Sequence, residues 1–450
     1  MPCRATLAQL ISATHAKAIA PASLEATQIA TGITTDSRCI QPGEVFVALR
    51  GEKFDGHDFV VKALEQGAIA AIVDTQYPLS DAALPLLQVE NTLQAYQAIG
   101  RWWRDQFTIP VIGVTGSVGK TTTKELIAAV LGQKGKVLKS QANFNNEIGV
   151  PKTLLELGPE HDFAVIEMAM RGKGQIAELT QTARPEIGVI TNVGTAHIGL
   201  LGSEAAIAAA KCELLVEMSA SGTAILNYDN PLLMETATHC WQGKTIRYGL
   251  TGGDIYGEMV GTDRIRVGNQ EFPLPLAGEH NALNYLAALA VAKVLGIDWS
   301  ILAAGLPVEL PGGRAKRYEL PHDIVLLDET YNAGLESMLA SLKLLAQTPG
   351  TRRIAVLGTM KELGDRSPEF HERVGTSVRE LNLDGLLILA DPAEAAALKQ
   401  GAAPLAAETF EDQAQVVARL KELMQPGDRL LFKASRAVGL DRVVEQLRTP

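Results

Sequence analysis

Residues 110–125 read Pro-Val-Ile-Gly-Val-Thr-Gly-Ser-Val-Gly-Lys-Thr-Thr-Thr-Lys-Glu, and this stretch decides the fold. The apolar run 111–114 predicts a buried strand, the glycines predict a tight turn, and the apolar residues of 126–131 predict a helix that begins at Lys120. Such a strand, turn and helix form a phosphate-binding loop, because the N–H groups of the turn and the positive end of the helix attract an anion. Lys120 would then reach the β- and γ-phosphates of ATP, and the Thr121 hydroxyl would bind Mg2+.

The predicted ATP contacts of this loop are consecutive residues: Thr115, Gly116, Ser117, Val118, Gly119, Lys120, Thr121 and Thr122. The loop departs from the common spacing, because Val114 stands five residues before Gly119 and the nearest glycine is Gly113. A glycine-rich turn with an incidental Lys-Thr pair is therefore the alternative. We favour ATP binding because the strand, the turn and the helix all agree with it.

Length and composition bound the class of protein. A chain of 450 residues is too long for one hydrophobic core, so about two to four domains are expected. The 46% hydrophobic and 20% charged residues are typical of a soluble globular protein, and the net charge of −10 argues against a broad basic surface for nucleic acid or membrane. The four cysteines show no paired spacing, and the N-terminus is a poor secretory signal. We therefore expect reduced thiols in a cytoplasmic protein.

The order of predicted elements divides the chain into three α/β domains. Residues 1–107 form a small α/β domain that starts with a helix over 7–19, and residues 108–312 form a domain around the phosphate loop. Residues 313–450, which follow a Gly/Pro hinge at 311–314, form a second doubly wound domain without a phosphate loop of its own. Strands alternate with helices in the last two domains, which predicts mostly parallel sheets and a Rossmann-like C-terminal domain.

Candidate site residues follow two predicted strands of the central domain. Glu167 lies at the end of the strand 163–168, and His197 follows the strand 187–193. Parallel sheets bind ligands beyond the carboxyl ends of their strands, so both side chains are site candidates. Lys211 lies on the next predicted helix. Taken alone, each of these side chains has an ordinary solvent-exposed role as its alternative.

Two polar segments are further candidates. Residues 35–38 supply hydroxyls and a guanidinium on a loop, which suits a phosphate or diphosphate, although a capped turn is the alternative. Residues 143–146 contain three asparagines that could form a hydrogen-bonding surface, although a plain turn would look similar.

These motifs coincide, in order, with those of one protein family. The chain resembles the Mur ligases, the ATP-dependent amide ligases of peptidoglycan precursor synthesis, over nearly its whole length. The loop 113–123 has the spacing of that family, which explains the shifted first glycine. The other matching positions are Glu167, Thr191, Asn192, His197, Ala210, Lys211, Glu213, Asn227, Asp229, His280, Asn281, Asn284, Gly313 and Arg314.

Several stretches look like the branch of the family that adds D-alanyl-D-alanine to the UDP-N-acetylmuramoyl tripeptide. They are residues 35–38, 54–59, 331–333 with 337–338, and 357–364 with His371. MurE-type ligases instead carry Asp-Asn-Pro-Arg in the third domain, whereas here Asp-Asn-Pro at 229–231 precedes a leucine and lies in the central domain.

The resemblance implies that ATP phosphorylates the peptide carboxylate and that the dipeptide amine attacks the acyl phosphate. It assigns the UDP substrate to the first domain, ATP and Mg2+ to the central domain and the dipeptide to the third domain of a monomer. The implied catalytic residues are Lys120, Glu167, His197 and Lys211, and the implied metal ligands are Thr121, Glu167, His197 and a carbamylated Lys211. The further ATP contacts implied by the resemblance are Asn281, Asn284, Arg314, Glu329 and Asn332. The implied contacts with the UDP substrate are Thr35, Asp36, Ser37, Arg38, Asn145 and Asn146.

The chain departs from the family pattern at a few positions. Glu329 replaces the second of two paired aspartates, which keeps the carboxylate but lengthens its reach. Gly334-Leu335 replaces Asn-Pro, and Ala434 replaces glycine near the C-terminus. The alternatives are a MurE-like or folylpolyglutamate synthetase-like ligase, a P-loop switch or transporter motor, and a non-catalytic nucleotide-binding scaffold. The many further motifs disfavour a switch or motor.

Overall fold

The computed structural model describes residues 3–19, 25–78 and 84–449 of the chain. These residues fold into consecutive α/β units with mostly parallel sheets, which confirms the predicted fold class. Within the same residues, no helix is both long enough and apolar enough to cross a bilayer.

The N-terminal unit is built on a sheet with the strand order β2-β7-β6-β5-β4, and β1 pairs separately with β3. Its elements are β1 Ala5–Thr6, α1 Leu7–Thr14, β2 Lys17–Ile19, β3 Ile29–Ala30, β4 Ile33–Thr34, β5 Val45–Val47, α2 Val60–Glu65, β6 Ala70–Asp74, β7 Leu86–Val89 and α3 Thr92–Arg104. The helix predicted over 7–19 is wrong beyond residue 14. His15 ends α1 in the left-handed conformation (φ 53°), and β2 then pairs antiparallel with the distant β7.

The central unit contains the predicted strand, turn and helix of the phosphate loop. Its elements are β8 Val111–Thr115, α4 Lys120–Leu131, β9 Val137–Lys139, α5 Gly149–Leu154, β10 Phe163–Glu167, α6 Gln175–Ala183, β11 Ile187–Ile190, α7 Ile198–Leu201, α8 Glu204–Glu217, β12 Thr223–Asn227, α9 Pro231–Cys240, β13 Lys244–Gly249, β14 Ile255–Val260, β15 Arg264–Val267, β16 Gln270–Pro273 and α10 Glu279–Val294.

The central sheet has the order β16-β15-β14-β13-β12-β11-β8-β10-β9, and it is parallel from β9 to β14. β8 is buried along its whole length, as expected for a strand covered by helices on both faces. Side chains of α4 and α10 pack into one core cluster, and side chains of α5, α6 and α8 pack into another. This burial fixes the phosphate loop at the carboxyl edge of the sheet.

The C-terminal unit is a second sheet covered by helices, with the order β17-β18-β22-β19-β20-β21. Its elements are β17 Lys316–Leu320, β18 Ile324–Asp328, α11 Leu335–Gln347, β19 Arg352–Gly358, α12 Ser367–Glu380, β20 Gly385–Leu389, α13 Pro392–Ala402, β21 Ala407–Thr409, α14 Gln413–Leu423, β22 Asp428–Lys433 and α15 Leu440–Arg448. Only β17 is antiparallel to its neighbour among the described strands of this sheet.

The central and C-terminal units touch at the carboxyl edges of their sheets. One continuous apolar cluster contains Ile198 of the central unit and Leu363 of the C-terminal unit. The segment after β11 therefore meets the segment after β19. This contact creates an inter-domain cleft that both units line.

Candidate active site

The phosphate loop requires glycine at two positions. A Cβ on Gly116 would lie 1.8 Å from Thr191 Oγ1, and a Cβ on Gly119 would lie 2.6 Å from Asn284 Oδ1. Gly119 also has a left-handed φ of 83° immediately before α4. A side chain at either position would displace the loop from the residues against which it packs. Both positions therefore need glycine for the close approach of the backbone.

Several groups of the loop that are predicted to contact ATP form hydrogen bonds with other residues of the protein. The N–H groups of Ser117 and Val118 each donate to Asn192 Oδ1 at 3.0 Å. The buried Thr115 hydroxyl donates to the Met168 carbonyl at 2.9 Å. These bonds hold the shape of the loop, whereas the first-turn N–H groups of α4 have no intrahelical acceptor and suit an anion.

Lys120 lies folded back over the loop. Its Nζ donates to the Gly116 carbonyl at 2.8 Å and to the Ser117 carbonyl at 3.4 Å. Burial lowers the pKa of Lys120, and the nearby Arg314 guanidinium lowers it further. Phosphate oxygens would compete well for this cation, because a charge-assisted bond to an anion is stronger than one to a carbonyl.

Glu167 lies directly beside the phosphate loop. Its Oε1 accepts hydrogen bonds from Thr121 Oγ1 at 3.2 Å and from Asn145 Nδ2 at 2.8 Å. Its Oε2 is buried, has no hydrogen-bond partner among the residues that the structure describes, and lies 3.8 Å from Lys124 Nζ. A buried, unpartnered carboxylate oxygen next to a P-loop hydroxyl fits a hard divalent cation.

Lys124 stands behind Glu167 and was not singled out by sequence reasoning. It is fully buried, its Nζ donates to the Ser140 carbonyl at 2.7 Å, and Glu125 Oε1 lies 2.9 Å away. Ser140 Oγ in turn accepts from the Glu167 N–H at 3.0 Å. A helical lysine is normally expected in solvent, so the available signal was only its position one turn after Lys120.

Lys211 and His197 complete a cluster of interacting charges with Lys120. Burial lowers the pKa of Lys211 well below its usual range, and Lys120 adds to this effect. Burial also lowers the pKa of His197; the charges of Lys120 and Lys211 act in the same direction, and Glu362 opposes them. The fold thus brings the predicted catalytic side chains to one place.

Two carboxylates from the C-terminal unit reach the loop that follows β11. Glu336 accepts from the Thr195 N–H at 2.7 Å and from the Thr195 hydroxyl at 3.3 Å. Glu362 Oε2 lies 2.5 Å from His197 Nδ1, in ion-pair range but without the angles of a hydrogen bond. Sequence reasoning assigned no role to Glu336 and placed Glu362 only in the motif 357–364; neither contact was predicted, because both join residues far apart in the chain.

The inter-domain cleft has a volume of about 740 Å³ and carries several cationic and aromatic groups. Its lining includes Thr121, Asn143, Arg314, Asp328, Tyr331 and Arg436. The Arg314 guanidinium lies 3.9 Å from the centre of the Tyr331 ring, and its buried Nε has no hydrogen-bond partner within the described part of the chain. Such an orphaned donor facing a cleft suits an anionic ligand.

Two predicted nucleotide contacts of the C-terminal unit, Glu329 and Asn332, are neighbours in sequence of the cleft-lining residues Asp328 and Tyr331. Glu329 Oε1 accepts from the Ala315 N–H at 3.2 Å, and burial raises the pKa of Glu329. Asn332 is exposed, and its carbonyl accepts from Lys433 Nζ at 3.1 Å. The exposed side-chain amide of Asn332 therefore remains accessible to a ligand.

Asn281 and Asn284 lie behind the phosphate loop. Asn281 Nδ2 donates to the Ala277 carbonyl at 2.8 Å, and Asn284 Oδ1 accepts from Thr123 Oγ1 at 3.1 Å. Both side chains are buried. They support the start of α4 in this structure, and their contact with adenine stays a prediction.

The predicted UDP-binding segments lie at the border of the first two units. Arg38 donates to both oxygens of Asp36, at 2.8 and 2.7 Å, and these bonds lower the pKa of Asp36 to about 2. Thr35 and Ser37 flank this ion pair. The charge of Lys152, on α5, also reaches Asp36. Asn146 Oδ1 accepts from the Gly149 N–H at 2.9 Å, whereas Asn145 is bonded to Glu167.

The metal chemistry of the site is limited by its donor set. Within residues 3–19, 25–78 and 84–449, no group of three or more His, Cys, Asp or Glu side chains could hold a metal ion. Glu167 and Thr121 nevertheless fit one Mg2+, which binds through one or two carboxylates together with phosphate oxygens. A second ion would need another anionic ligand beside His197.

Known proteins similar to this chain match it along most of its length. Models of the Mur ligase family match residues 30–101 (catalytic domain), 114–292 (middle domain) and 313–436 (glutamate ligase domain). A UDP-N-acetylmuramoyl-tripeptide–D-alanyl-D-alanine ligase from Synechocystis is 62% identical, and the match covers 92% of this chain and 91% of that protein. The chain belongs to the Mur ligase family.

Solved structures place this Mur ligase near the enzymes called MurF. A crystal structure of MurF from Acinetobacter baumannii superimposes with a TM-score of 0.90 at 31% identity and covers 100% of both chains. MurF from Thermotoga maritima, solved in complex with ADP, gives a TM-score of 0.82 at 32% identity and covers 92% of this chain and 96% of that one. The ADP complex supports the use of ATP in a site of this architecture.

Proposed function

We propose that this Mur ligase joins D-alanyl-D-alanine to UDP-N-acetylmuramoyl tripeptide, with conversion of ATP to ADP and phosphate. The observation that carries the proposal is the 62% identity, over 92% of the chain, to a ligase of that name. The site geometry supports the ATP-dependent part, because Thr121 and Arg314 line one cleft between two domains and the Thr121 hydroxyl donates to Glu167.

The first task of the site is to hold and neutralise the phosphates of ATP. Lys120 moves from the loop carbonyls to the β- and γ-phosphates, and the first-turn N–H groups of α4 donate to the same anion. Arg314 approaches from the C-terminal domain. Such prearranged cations favour phosphoryl transfer from ATP to the peptide carboxylate, because they stabilise charge where it develops.

Mg2+ would be held by Glu167 and Thr121, and when bound it would neutralise phosphate charge. His197 would serve a second ion together with Lys211 in its carbamylated form. Buried lysines with a depressed pKa are more often neutral, and a neutral amine can add CO2. Carbamylation replaces a cation with an anionic oxygen ligand, which removes the electrostatic conflict between Lys211 and Lys120.

The second task is to keep water away from the acyl phosphate. Glu336 and Glu362 tie the C-terminal domain to the loop that carries His197. When these contacts form, the cleft between the domains is closed around the reacting groups. The amine of the dipeptide then attacks the acyl phosphate in a site that excludes the competing nucleophile.

The two acceptor substrates are assigned to the outer domains. Residues 35–38, together with Asn145 and Asn146, would bind the UDP-peptide. The loops 358–364 and 433–436 would bind the dipeptide, because both follow C-terminal strands that face the central site. We further infer a cytoplasmic, monomeric enzyme that uses soluble substrates and binds no nucleic acid.

Product analysis tests this assignment. The enzyme, ATP and Mg2+ are incubated with UDP-N-acetylmuramoyl tripeptide and D-alanyl-D-alanine, and the nucleotide product is identified by mass spectrometry. We expect one new amide bond and a pentapeptide nucleotide. A matched reaction offers the UDP-dipeptide with a free diamino acid, the substrates of a MurE-type ligase. Product in this second reaction, but none in the first, would contradict the assignment.

A further inference from the structure

The loop after β11 and the loop after β19 meet across the domain interface. The Gly199 N–H donates to the Glu362 carbonyl at 3.2 Å. A Cβ on Gly199 would lie 2.6 Å from the Gly364 nitrogen. The two backbones are therefore in direct contact, and a change in domain arrangement separates them.

Glu362 directs its carboxylate to both sides of this contact. Its Oε2 lies 2.5 Å from His197 Nδ1, and its Oε1 lies 3.8 Å from Arg171 Nε. The carboxylate thus covers one ring nitrogen of His197 and leaves Nε2 for a ligand. Histidines that bind a metal or a phosphate are commonly oriented in this way by a carboxylate on the other nitrogen.

Both partners have an unfavourable backbone conformation. His197 has a φ of 65° and Glu362 has a φ of 64°, in the left-handed region that glycine adopts most easily. Gly364, two residues further on, has a similar φ of 59° and is glycine. A glutamate at position 362 is costly for the backbone, so its side chain provides the compensating interaction.

The charges around His197 explain why a carboxylate is needed there. Lys120 and Lys211 both act on the imidazole from the central domain. Glu362 is the acidic group that faces the same ring from the C-terminal domain. Without this group the imidazole would have cationic neighbours and no partner to fix its orientation.

We propose that Glu362 is a positioning residue that orients His197 toward the Mg2+-bound nucleotide, and that it does so from the C-terminal domain. His197 is then correctly placed only when the domains are closed. The inference rests on the proposed function, because it gives His197 a ligand in the nucleotide site. It adds the residue that couples domain closure to the geometry of that site.

A double-mutant cycle on nucleotide binding tests the proposal independently of ligation. The variants are Glu362→Gly, His197→Ala and the double variant, and the probe is the non-hydrolysable ATP analogue AMP-PNP with Mg2+, measured by calorimetry. Glycine adopts the left-handed backbone conformation at position 362 without strain, and the substitution removes the carboxylate. We expect Glu362→Gly to weaken binding about fivefold or more, which lies within the range of coupling energies for residues in contact. In the His197→Ala background it should have almost no further effect.

Arg171→Ala is the matched control. Arg171 contacts the other oxygen of the same carboxylate and is 76% exposed, so its loss should leave binding and kcat within about twofold. Glu362→Gly should lower kcat more than it raises the KM for ATP, and Glu362→Gln should restore part of kcat.

Two results would overturn the proposal. One is unchanged AMP-PNP binding in Glu362→Gly, and the other is an equal loss with and without His197. If the wild-type chain binds AMP-PNP but forms no pentapeptide nucleotide, the proposed function fails while the cycle still decides the role of Glu362.

Discussion

Thr195 of the central domain donates its backbone N–H to Glu336 Oε1 of the C-terminal domain at 2.7 Å. The Thr195 hydroxyl lies 3.3 Å from the other oxygen of the same carboxylate. A Cβ on the neighbouring Gly194 would lie 2.5 Å from the Glu336 carboxylate, so a side chain there would displace this carboxylate. This contact and the Glu362–His197 contact fasten two sides of the same loop.

We expect Glu336→Ala to favour the open arrangement of the domains. The substitution removes two hydrogen bonds to a charged group, each worth about 1.5–3 kcal/mol, so kcat/KM should fall roughly tenfold or more. Small-angle scattering with AMP-PNP and the UDP-peptide should give a larger radius of gyration than for the wild type. Glu336→Gln keeps one acceptor for the Thr195 N–H and serves as the control. An unchanged radius and unchanged kinetics in Glu336→Ala would contradict the role in closure.

Lys120→Ala should abolish turnover without unfolding the protein. Its ammonium is the loop cation nearest the phosphates, and loss of a key charge stabiliser typically costs ~10²-fold or more in kcat. Steady-state kinetics and a thermal melt measure the two effects separately. Lys173→Ala, at an exposed lysine, is the matched control and should behave as the wild type. More than about a tenth of wild-type activity in Lys120→Ala would refute the assignment.

Carboxylates should partly restore the activity of Lys211→Ala if the native ligand is a carbamate. The depressed pKa of Lys211 means that its amine is neutral at lower pH than for an ordinary lysine, so CO2 can add near neutral pH. Activity of the variant is measured with added formate or acetate. Lys211→Arg retains a fixed positive charge and should not respond. Rescue by small amines and not by carboxylates would show that the lysine acts as a cation.

Stability of the C-terminal domain should fall in mild acid because of His371. This side chain is fully buried; its Nε2 accepts from the Met360 N–H at 2.9 Å, and its Nδ1 lies 2.7 Å from the Ser367 carbonyl. Burial lowers its pKa below the unfolded value of 6.5, so the unfolded state binds more protons below that pH. The stabilising contribution is complete above pH 6.5 and is lost as the pH falls toward the folded pKa.

Thermal melts of the wild type and of His371→Leu between pH 8 and 5 measure this contribution. At pH 8 the variant should be less stable by about 1–3 kcal/mol, because leucine has no acceptor for the buried Met360 N–H. The difference should shrink in acid. A difference that is constant over this range would disprove the linkage to His371.

Local patterns predicted much of this fold. The strand, turn and helix at 111–131 are found, because this stretch has a strong hydrophobic pattern and clear turn residues. The helix over 7–19 was wrong in its second half. Its apolar residues 17–19 are recruited by β7, some 70 residues away, and such a long-range pairing leaves no local signal.

Some residues of the candidate site could be predicted from local sequence patterns, whereas residues that depend on long-range contacts could not. Glu167 and His197 were found because parallel strands place their carboxyl ends at one edge. Lys124 was missed because a helical lysine is normally solvent-exposed, and here it is fully buried behind Glu167. The contacts of Glu336 with Thr195 and of Glu362 with His197 were missed, although Glu362 lies in the motif 357–364, because their partners belong to another domain.

Release of inorganic phosphate from ATP under four conditions tests directly whether ATP turnover requires both acceptor substrates. The conditions are the enzyme with Mg2+ alone, with UDP-N-acetylmuramoyl tripeptide, with D-alanyl-D-alanine, and with both. We expect sustained phosphate release only with both substrates, and no sustained release from the Lys120→Ala variant. Sustained release with neither or only one substrate, or no release with both, would contradict it.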